Sequence, residues 1–379
     1  MGFQVPAASM VALAVLGCVL SGAPTPARAA TVRVGAYNID CSDNGDNTAV
    51  TGSTAGLPSV VQAMGQHHLA GNAQPVDVLA LTELLDTSNT TVSSTLPAFV
   101  DSLNSIYGPG TYAYSATPDP TSSQGSNGPS GLIYKPGTIA VIGTKTLEYS
   151  GNSAFTNPRA PVRFELEPVG STSPFYLYVS HMKAGTASTD ATARNDEATI
   201  LRDDEATLPA GSTVLYTGDY NASTGAAFTT LTGSGEGQAL DAATSSTTIS
   251  QSLTYESEST KSLGHRDDFI LMTQPALSGT GALKYVAGSF QVFGNNGTTQ
   301  SGTATDLPSN TSLNDLSDAS TILADMTERS SGQTTPYGSD HLGVVADFNV
   351  TATPEPATVG VLGMAAVFLL RRRAARRCV

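Results

Sequence analysis

The chain has 379 residues, a formal net charge of -14 and 40% hydrophobic residues, enough to bury a substantial core. Five arginines lie in the last nine residues, so the rest of the chain is more acidic than the whole. An acidic chain has no general affinity for a polyanion, which argues against a tight non-specific nucleic-acid binder. Among the three cysteines only Cys41 lies between the terminal segments, which excludes a disulfide framework there.

Residues 1–30 have the features of a secretory signal peptide. Residues 10–20 form an apolar run, and Ala27-Arg28-Ala29 provides a small-x-small cleavage site. The segment before the run contains no lysine or arginine, which departs from the usual pattern. A buried helix and a lipoprotein signal at Cys18 are the alternatives to this interpretation.

The C-terminal segment 354–379 combines three features. Pro354-Glu355-Pro356 is followed by an apolar stretch, 357–370, and then by the arginine cluster. This pattern resembles the PEP-CTERM sorting signal, which implies transient retention in the cell membrane and recognition by an exosortase. The stretch has about 14 residues, short of the ~20 that span a bilayer comfortably. We therefore expect a short transmembrane segment and an exported body at the cell surface or outside the cell. An amphipathic tail helix is the alternative.

Between the two ends, residue patterns predict strands and helices. Alternating apolar and polar residues indicate half-buried strands at 31–39, 112–115, 139–149 and 162–169. Nearly continuous apolar runs indicate buried strands at 76–81, 132–134, 175–180, 214–217, 269–272 and 342–348. Helices are expected at 58–70, 96–107 and 190–208, the last with Asp190 as its N-cap. Polar stretches predict long loops at 117–130, 241–262 and 294–320.

Many strands with few helices predict an α/β (α+β) domain over residues 31–350. We expect a four-layer α/β/β/α sandwich, in which two packed mixed sheets are flanked by helices. His67 and His68 follow a helical pattern and are expected at the surface. The other polar residues of interest stand where predicted strands begin or end.

Six such positions could carry chemistry. His181 ends one apolar strand and His341 precedes another, while Gly218-Asp219-Tyr220-Asn221 follows a third. Turn chemistry explains any one of them, but it does not account for the whole set. The remaining acids and amides at strand ends are Asn38, Glu83 and Asp268, and Asp340 adjoins His341.

Phosphodiester cleavage requires residues of this kind. A metal ion neutralises the phosphate charge, a base activates water, and donors stabilise the developing oxyanion. Mg²⁺ prefers oxygen ligands and takes few of them from protein. Scattered carboxylates and amides with two histidines therefore favour a metal-assisted hydrolase.

Six motifs, in chain order, resemble those of the endonuclease/exonuclease/phosphatase superfamily, which includes pancreatic-type DNases. The resemblance extends from residue 32 to residue 348. The usual Gln is Thr82 here, and the usual Phe is Tyr220. The motifs are Val34-Gly-Ala-Tyr-Asn38, Asp77-Val-Leu-Ala-Leu-Thr-Glu83, Val179-Ser-His181-Met-Lys183, Gly218-Asp219-Tyr-Asn221, Arg266-Asp267-Asp268 and Ser339-Asp340-His341.

The resemblance implies a DNase I-like fold and in-line attack by water with Mg²⁺ or Mn²⁺ bound. His341 would be the base, oriented by Asp268 or a neighbouring carboxylate, and His181 would donate to the phosphate, although the two roles could be exchanged. The implied metal site consists of Asn38, Glu83 and Asp340. The implied catalytic set is His181, Asp219, Asn221, Asp268 and His341.

Substrate contacts are implied for Tyr134, Arg159 and Lys183. A buried core position is the alternative for Tyr134, and a surface ion pair is the alternative for Arg159. We expect a monomer whose substrate is a phosphodiester, with an exported nuclease as the first hypothesis. A sphingomyelinase-like or small-molecule phosphodiesterase or phosphatase is the second. A non-catalytic surface binding module is the third.

Overall fold

The computed structural model describes residues 30–41, 50, 56–85, 95–115, 129–147, 159–257, 265–295, 297, 312–326 and 338–351. Within this part of the chain, no helix is long and apolar enough to cross a membrane. The predicted signal peptide, apart from Ala30, and the segment 354–379 lie outside the described residues.

The described residues form strands and helices that mostly alternate along the chain. The strands are β1 Thr31–Asn38, β2 Val78–Thr82, β3 Ala113–Ser115, β4 Gly131–Tyr134, β5 Ile139–Thr146, β6 Val162–Pro168, β7 Phe175–His181, β8 Thr213–Asp219, β9 Leu240–Asp241, β10 Asp268–Met272, β11 Leu283–Tyr285, β12 Gln291–Val292 and β13 Val344–Val350. The helices are α1 Gly56–Gln66, α2 Thr95–Tyr107, α3 Ser188–Glu205, α4 Ala226–Leu231, α5 Gln274–Ser278 and α6 Ala319–Asp325.

The strands are arranged in two mixed sheets. Sheet one has the order β11-β13-β1-β2-β4-β3, with β12 also paired to β13. Sheet two has the order β5-β6-β7-β8-β10-β9. Each sheet contains one parallel pair, β1 with β2 and β7 with β8, and its other pairs are antiparallel. These parallel pairs position the candidate site.

Strand alternation builds two hydrophobic cores. Phe175, Leu177 and Val179 of β7 face the core between the sheets, while Tyr176 and Tyr178 face a second core beneath α3 and α4. Full burial of one such apolar side chain contributes about 1.5–3 kcal/mol. Helices α1 and α2 pack on the outer face of sheet one, and α3 packs on that of sheet two. The predicted four-layer α/β/β/α sandwich is confirmed.

Two local predictions were wrong. Helix α3 begins at Ser188, and Asp190 lies in its first turn, where its carboxylate accepts the backbone N–H of Ala187 at 3.0 Å. His67 lies just beyond α1 but is only 7% exposed, because Asp315 of a distant segment binds its Nδ1 at 2.8 Å. The sequence around His67 carries no signal of that distant partner.

Several short elements were also missed. The elements α4, α5, α6, β9, β11 and β12 span two to seven residues each, too few to show a clear periodicity. The described part of the predicted loop 241–262 contains one 3₁₀ turn, Leu253–Tyr255, and otherwise only the end of β9. That loop leads toward the candidate site.

Candidate active site

The carboxyl ends of the two parallel strand pairs lie at one edge of the sandwich. In sheet one, Asn38 ends β1 beside Thr82, and Glu83 follows directly. In sheet two, His181 of β7 is paired with Asp219 of β8. The Nδ2 atom of Asn38 donates to Glu83 Oε1 and Asp219 Oδ2, both at 3.0 Å. The Asn38 amide thus joins carboxylates from the two sheets.

Antiparallel strands bring two more residues to this edge. Asp268 begins β10 opposite Asp219. His341 lies shortly before β13, whose first residue pairs with Ala36 near the end of β1. The Nδ1 atom of His341 lies 2.6 Å from Asp268 Oδ2. Asp268 is fully buried and His341 is 8% exposed, so little water competes for this hydrogen bond.

The glycine before Asp219 allows β7 and β8 to approach closely. Gly218 has φ 121°, and a Cβ atom there would lie 2.0 Å from the carbonyl oxygen of Ser180. Only glycine fits such a position without moving one of the strands. The pairing of His181 with Asp219 therefore depends on the Gly218-Asp219 sequence.

Two site residues have strained backbones. Glu83 has φ 58° and Asn221 has φ 49°, values that cost about 1–2 kcal/mol in non-glycine residues. The carbonyl of Glu83 accepts the N–H of Cys41 at 3.1 Å, and the N–H of Asn221 donates to Asp219 Oδ1 at 2.8 Å. Strain of this kind concentrates at functional sites, where the surrounding structure maintains it.

One carboxylate oxygen lies between the two histidines. Asp219 Oδ2 is 3.3 Å from His181 Nε2 and 3.6 Å from His341 Nε2. His181 Nε2 is also 3.5 Å from Glu83 Oε1, and His341 Nε2 is 3.8 Å from Asp340 Oδ1. The two Nε2 atoms therefore point into the same small acidic space.

Burial and crowded charge perturb these groups. Burial raises the pKa of Glu83 to about 7; Asn38 opposes the rise, and Asp219 and Asp340 add to it. Burial alone would lower the pKa of His341, but the charges of Asp268 and Asp219 raise it well above its usual value. The site holds more negative charge than its surroundings stabilise.

A divalent cation fits this excess of negative charge. Glu83, His181 and Asp219 place ligand atoms within 4.8 Å of one another, and all three residues are buried. Carboxylate oxygens suit Mg²⁺ and Mn²⁺, whereas imidazole is a better ligand for softer metals. Glu83 and Asp219 thus offer the oxygen atoms that suit the predicted cation.

The other predicted metal residues occupy different positions around this pair. The Oδ1 atom of Asn38 accepts the N–H of Asp40 at 3.1 Å, while its Nδ2 faces the carboxylates. In this orientation Asn38 holds Glu83 and Asp219 in place. Asp340 stands on the side of His341 and is partly exposed.

The predicted substrate contacts lie at different distances from the cluster. Arg159 is buried and donates to the carbonyls of His181 and Met182 at 3.3 and 2.9 Å, which supports the end of β7. Lys183 is exposed on the following loop, with Nζ 3.6 Å from Asp190 Oδ1. Asn221 also binds the carbonyl of Met182, at 3.0 Å, and thereby joins the same support.

Tyr134 is not brought to the site. It pairs with Val78 at the start of β2, whereas Glu83 follows the far end of that strand. Five residues of extended chain separate the two positions by roughly 17 Å. Tyr134 is half-buried and packs against the larger hydrophobic core, which agrees with the alternative of a core position.

Two serines support the site without any clear signal in the sequence. The hydroxyl of Ser339 donates to the carbonyl of Asn38 at 2.6 Å and accepts the N–H of His341 at 3.0 Å. The hydroxyl of Ser257 accepts the N–H of Asp268 at 2.9 Å. Ser339 was recognisable only as part of its motif, and Ser257 belongs to a serine-rich loop in which no serine stands out.

Comparisons with solved structures bear on the fold. No protein-family model matches the chain, and no curated protein matches it in sequence. A crystal structure of D. rerio TDP2 complexed with single-strand DNA product matches with a TM-score of 0.50 and 13% identity, covering 85% of this chain and 100% of that one. This likeness shows a shared fold, and the predicted DNase I-like architecture is confirmed.

Two further solved structures are similar. One is an endonuclease/exonuclease/phosphatase family protein from Bacteroides thetaiotaomicron, with a TM-score of 0.49, 13% identity and coverage of 86% of this chain and 100% of that one. The other is a mannosyl-6-phosphatase from the same organism, with a TM-score of 0.48, 13% identity and coverage of 84% and 99%. At such identities the function has to be argued from the site.

Proposed function

We propose that the chain is a metal-dependent phosphoester hydrolase of the endonuclease/exonuclease/phosphatase superfamily. The observation that carries the proposal is that the Nε2 atoms of His181 and His341 both face Asp219, at 3.3 and 3.6 Å. Glu83 and Asp219 provide oxygen ligands beside them, and Asp268 orients His341. Cation ligands, a positioned base and a second donor are what phosphoester hydrolysis requires.

The two histidines have different tasks in this proposal. Because Asp268 binds Nδ1 of His341, the Nε2 atom of that ring is directed at the substrate side. A bound cation would offset the carboxylate charge that raises the pKa of His341, and the unprotonated Nε2 then takes the proton of the attacking water. The water oxygen bonds to phosphorus, the ester P–O bond opposite breaks, and the leaving oxygen takes a proton from solvent. His181 donates a hydrogen bond from Nε2 to a phosphoryl oxygen. A bound Mg²⁺ or Mn²⁺ would neutralise charge on the phosphate.

The test is hydrolysis by the purified full-length protein with Mg²⁺ or Mn²⁺ and with chelator. Glu83→Gln should abolish detectable hydrolysis and weaken Mg²⁺ binding, because it removes one of two anionic ligands while keeping the shape. Glu167→Gln on β6 is the matched control, since Glu167 lies half-buried outside the site. Near-normal activity of Glu83→Gln at low Mg²⁺ would show that the metal site is misplaced.

The first candidate substrate is nucleic acid, and the expected activity is that of an endonuclease or phosphodiesterase. The related D. rerio TDP2 was crystallised with a DNA product, but shared fold alone does not transfer a substrate. The panel should therefore compare DNA, RNA, sphingomyelin, and artificial phosphate diesters and monoesters. Absence of hydrolysis of every one would favour the non-catalytic binding module.

A second candidate, a phosphodiester with few phosphates, is favoured by the basic residues. Lys284 excepted, every lysine and arginine in the described ranges is bound to a carboxylate or main-chain carbonyl of the chain itself. Cations committed in this way contribute little to binding a long polyanion. A lipid headgroup or a small diester requires fewer such contacts.

We propose that this activity is exported. The predicted signal peptide over 1–30 and the predicted sorting segment 354–379 support the proposal, because about 14 apolar residues partition into a bilayer but span it poorly. The arginines after that stretch would resist crossing and leave the catalytic body outside. Removing 354–379 should release active protein to the medium, as measured by fractionating cells and assaying each fraction. Cytoplasmic activity from the full chain would contradict this proposal.

A further inference from the structure

The His341–Asp268 pair spans the two sheets. Asp268 begins β10 in sheet two, whereas His341 precedes β13 in sheet one. Main-chain pairing within either sheet therefore does not set the distance between them. A hydrogen bond of 2.6 Å nevertheless demands a relative position accurate to a fraction of an ångström.

Ser257 is hydrogen-bonded to the main chain next to both members of the pair. Its hydroxyl oxygen accepts the N–H groups of Asp267 and Asp268 at 3.1 and 2.9 Å. Its carbonyl accepts the N–H of Leu342, the residue after His341, at 2.7 Å. Ser257 is fully buried, so water does not replace these hydrogen bonds.

The loop that carries Ser257 is itself held in place. Arg266 binds Asp241 through two hydrogen bonds of 2.6 and 2.8 Å, which ties the start of the loop to the entry of β10. The amide of Asn295 donates to the carbonyl of Glu256 at 2.8 Å, directly before Ser257. Hydrogen bonds on either side of Ser257 therefore hold the loop in place, and Ser257 can hold its own hydrogen-bond partners at fixed positions.

We propose that Ser257 is a positioning residue that sets the geometry of the His341–Asp268 pair. The inference rests on the proposed hydrolysis, in which His341 receives a proton from water. Without the hydroxyl, the buried N–H of Asp268 and the partly buried N–H of Asp267 lose their acceptor, and the start of β10 relaxes away from His341. Because the pair acts in the transition state, the loss should appear in kcat and leave KM nearly unchanged.

The test compares Ser257→Ala with Ser289→Ala. Ser289 is a matched control, since it is also fully buried and its hydroxyl accepts the N–H of Asp347 at 2.9 Å, within β13. Both variants should lower the melting temperature. Only Ser257→Ala should lower kcat, by about tenfold or more, with KM within about twofold. Equal kcat values for the two variants would overturn the proposal.

A double-mutant cycle tests whether Ser257 acts through Asp268. In an Asp268→Asn background the effect of Ser257→Ala on kcat should largely disappear, because the hydrogen bond that it positions is already altered. If Ser257→Ala lowers kcat equally in that background, Ser257 does not act through Asp268 and the proposal is overturned. If Ser257→Ala does not fold, Ser257→Thr, which keeps the hydroxyl, should retain kcat, and Ser257→Cys, a weaker acceptor, should lose it.

A measurement without substrate separates this proposal from the proposed function. The Nδ1 proton of His341, in a short hydrogen bond to a carboxylate, should give a downfield proton NMR signal that Asp268→Asn removes. Ser257→Ala should shift or abolish that signal, and Ser289→Ala should preserve it. A signal unchanged in Ser257→Ala overturns the positioning role even if the protein hydrolyses phosphoesters. If the wild-type protein hydrolyses none, the proposed function fails while the signal still decides the role of Ser257.

Discussion

Replacing Gly218 by alanine tests whether the close approach of β7 and β8 forms the site. The new Cβ would lie 2.0 Å from the carbonyl oxygen of Ser180, and such contacts do not fall below 3.0 Å, so one strand must move by about 1 Å. The φ of 121° adds a strain of about 1–3 kcal/mol in a residue with a Cβ. A displacement of about 1 Å between catalytic groups costs about 10²-fold in rate. We expect losses of that order in kcat, together with a lower melting temperature.

The assay measures kcat and thermal unfolding of Gly218→Ala beside Gly211→Ala. Gly211 has φ 78° and no atom within 4 Å of a built Cβ, so its replacement carries backbone strain without a collision. It lies before the start of β8, at the opposite end of the strand from Asp219. Gly211→Ala should lose stability of about 1 kcal/mol and keep its activity. If Gly218→Ala keeps wild-type kcat and stability, the strands do not depend on this contact and the reasoning is wrong.

Three further predictions concern stability and charge. Burial raises the pKa of Glu205 above 4.5, and the charge of Arg202 opposes the rise. The folded protein therefore gains stability from the protonated carboxyl below pH 4.5 and loses that stability as the pH rises through the raised pKa. Glu205→Gln should therefore unfold at higher denaturant than wild type at pH 8 but not at pH 4; equal midpoints at both would contradict this. Tyr220→Phe should keep kcat and gain up to about 1 kcal/mol, because the fully buried hydroxyl has no hydrogen-bond partner among the described residues; a loss of stability would reveal an unseen partner. The affinity for single-stranded DNA should fall only slightly with added salt: a plot of the logarithm of the binding constant against that of the salt concentration should have a slope smaller in magnitude than about 2. A steep slope would show many phosphate contacts.

The fold was largely predictable because its principal strands are long and strongly patterned. Strand β7 reads as an unbroken apolar run, Phe175–His181, since its two faces meet two different hydrophobic cores. Runs of this kind predict a strand buried on both faces whatever lies around it. The helix N-terminus near Asp190 was placed less accurately, because an aspartate in the first turn and an aspartate at the N-cap produce nearly the same local pattern.

The residues of the site were predictable for a related reason. Asn38, His181 and Asp219 each end a strand and Glu83 directly follows one, and parallel pairing brings them together as one pair in each sheet. Their roles were less predictable. Whether Asn38 directs its oxygen or its amide nitrogen toward the carboxylates depends on the neighbouring backbone N–H of Asp40, which no strand pattern encodes. The position of Tyr134 away from the cluster likewise depends on the register of β4 against β2, which the sequence pattern does not specify.

Contacts between the sheets were the least predictable part of the site. Ser257 lies in the polar loop 241–262, outside the motifs, and no periodicity there indicates that it binds the main chain beside both Asp268 and His341. Serine hydroxyls in such stretches have the same local pattern whether they face solvent or accept a buried N–H. Only the packing of sheet one on sheet two distinguishes them. An acid–base pair built across two sheets therefore requires support from residues whose importance appears only after the sheets are assembled.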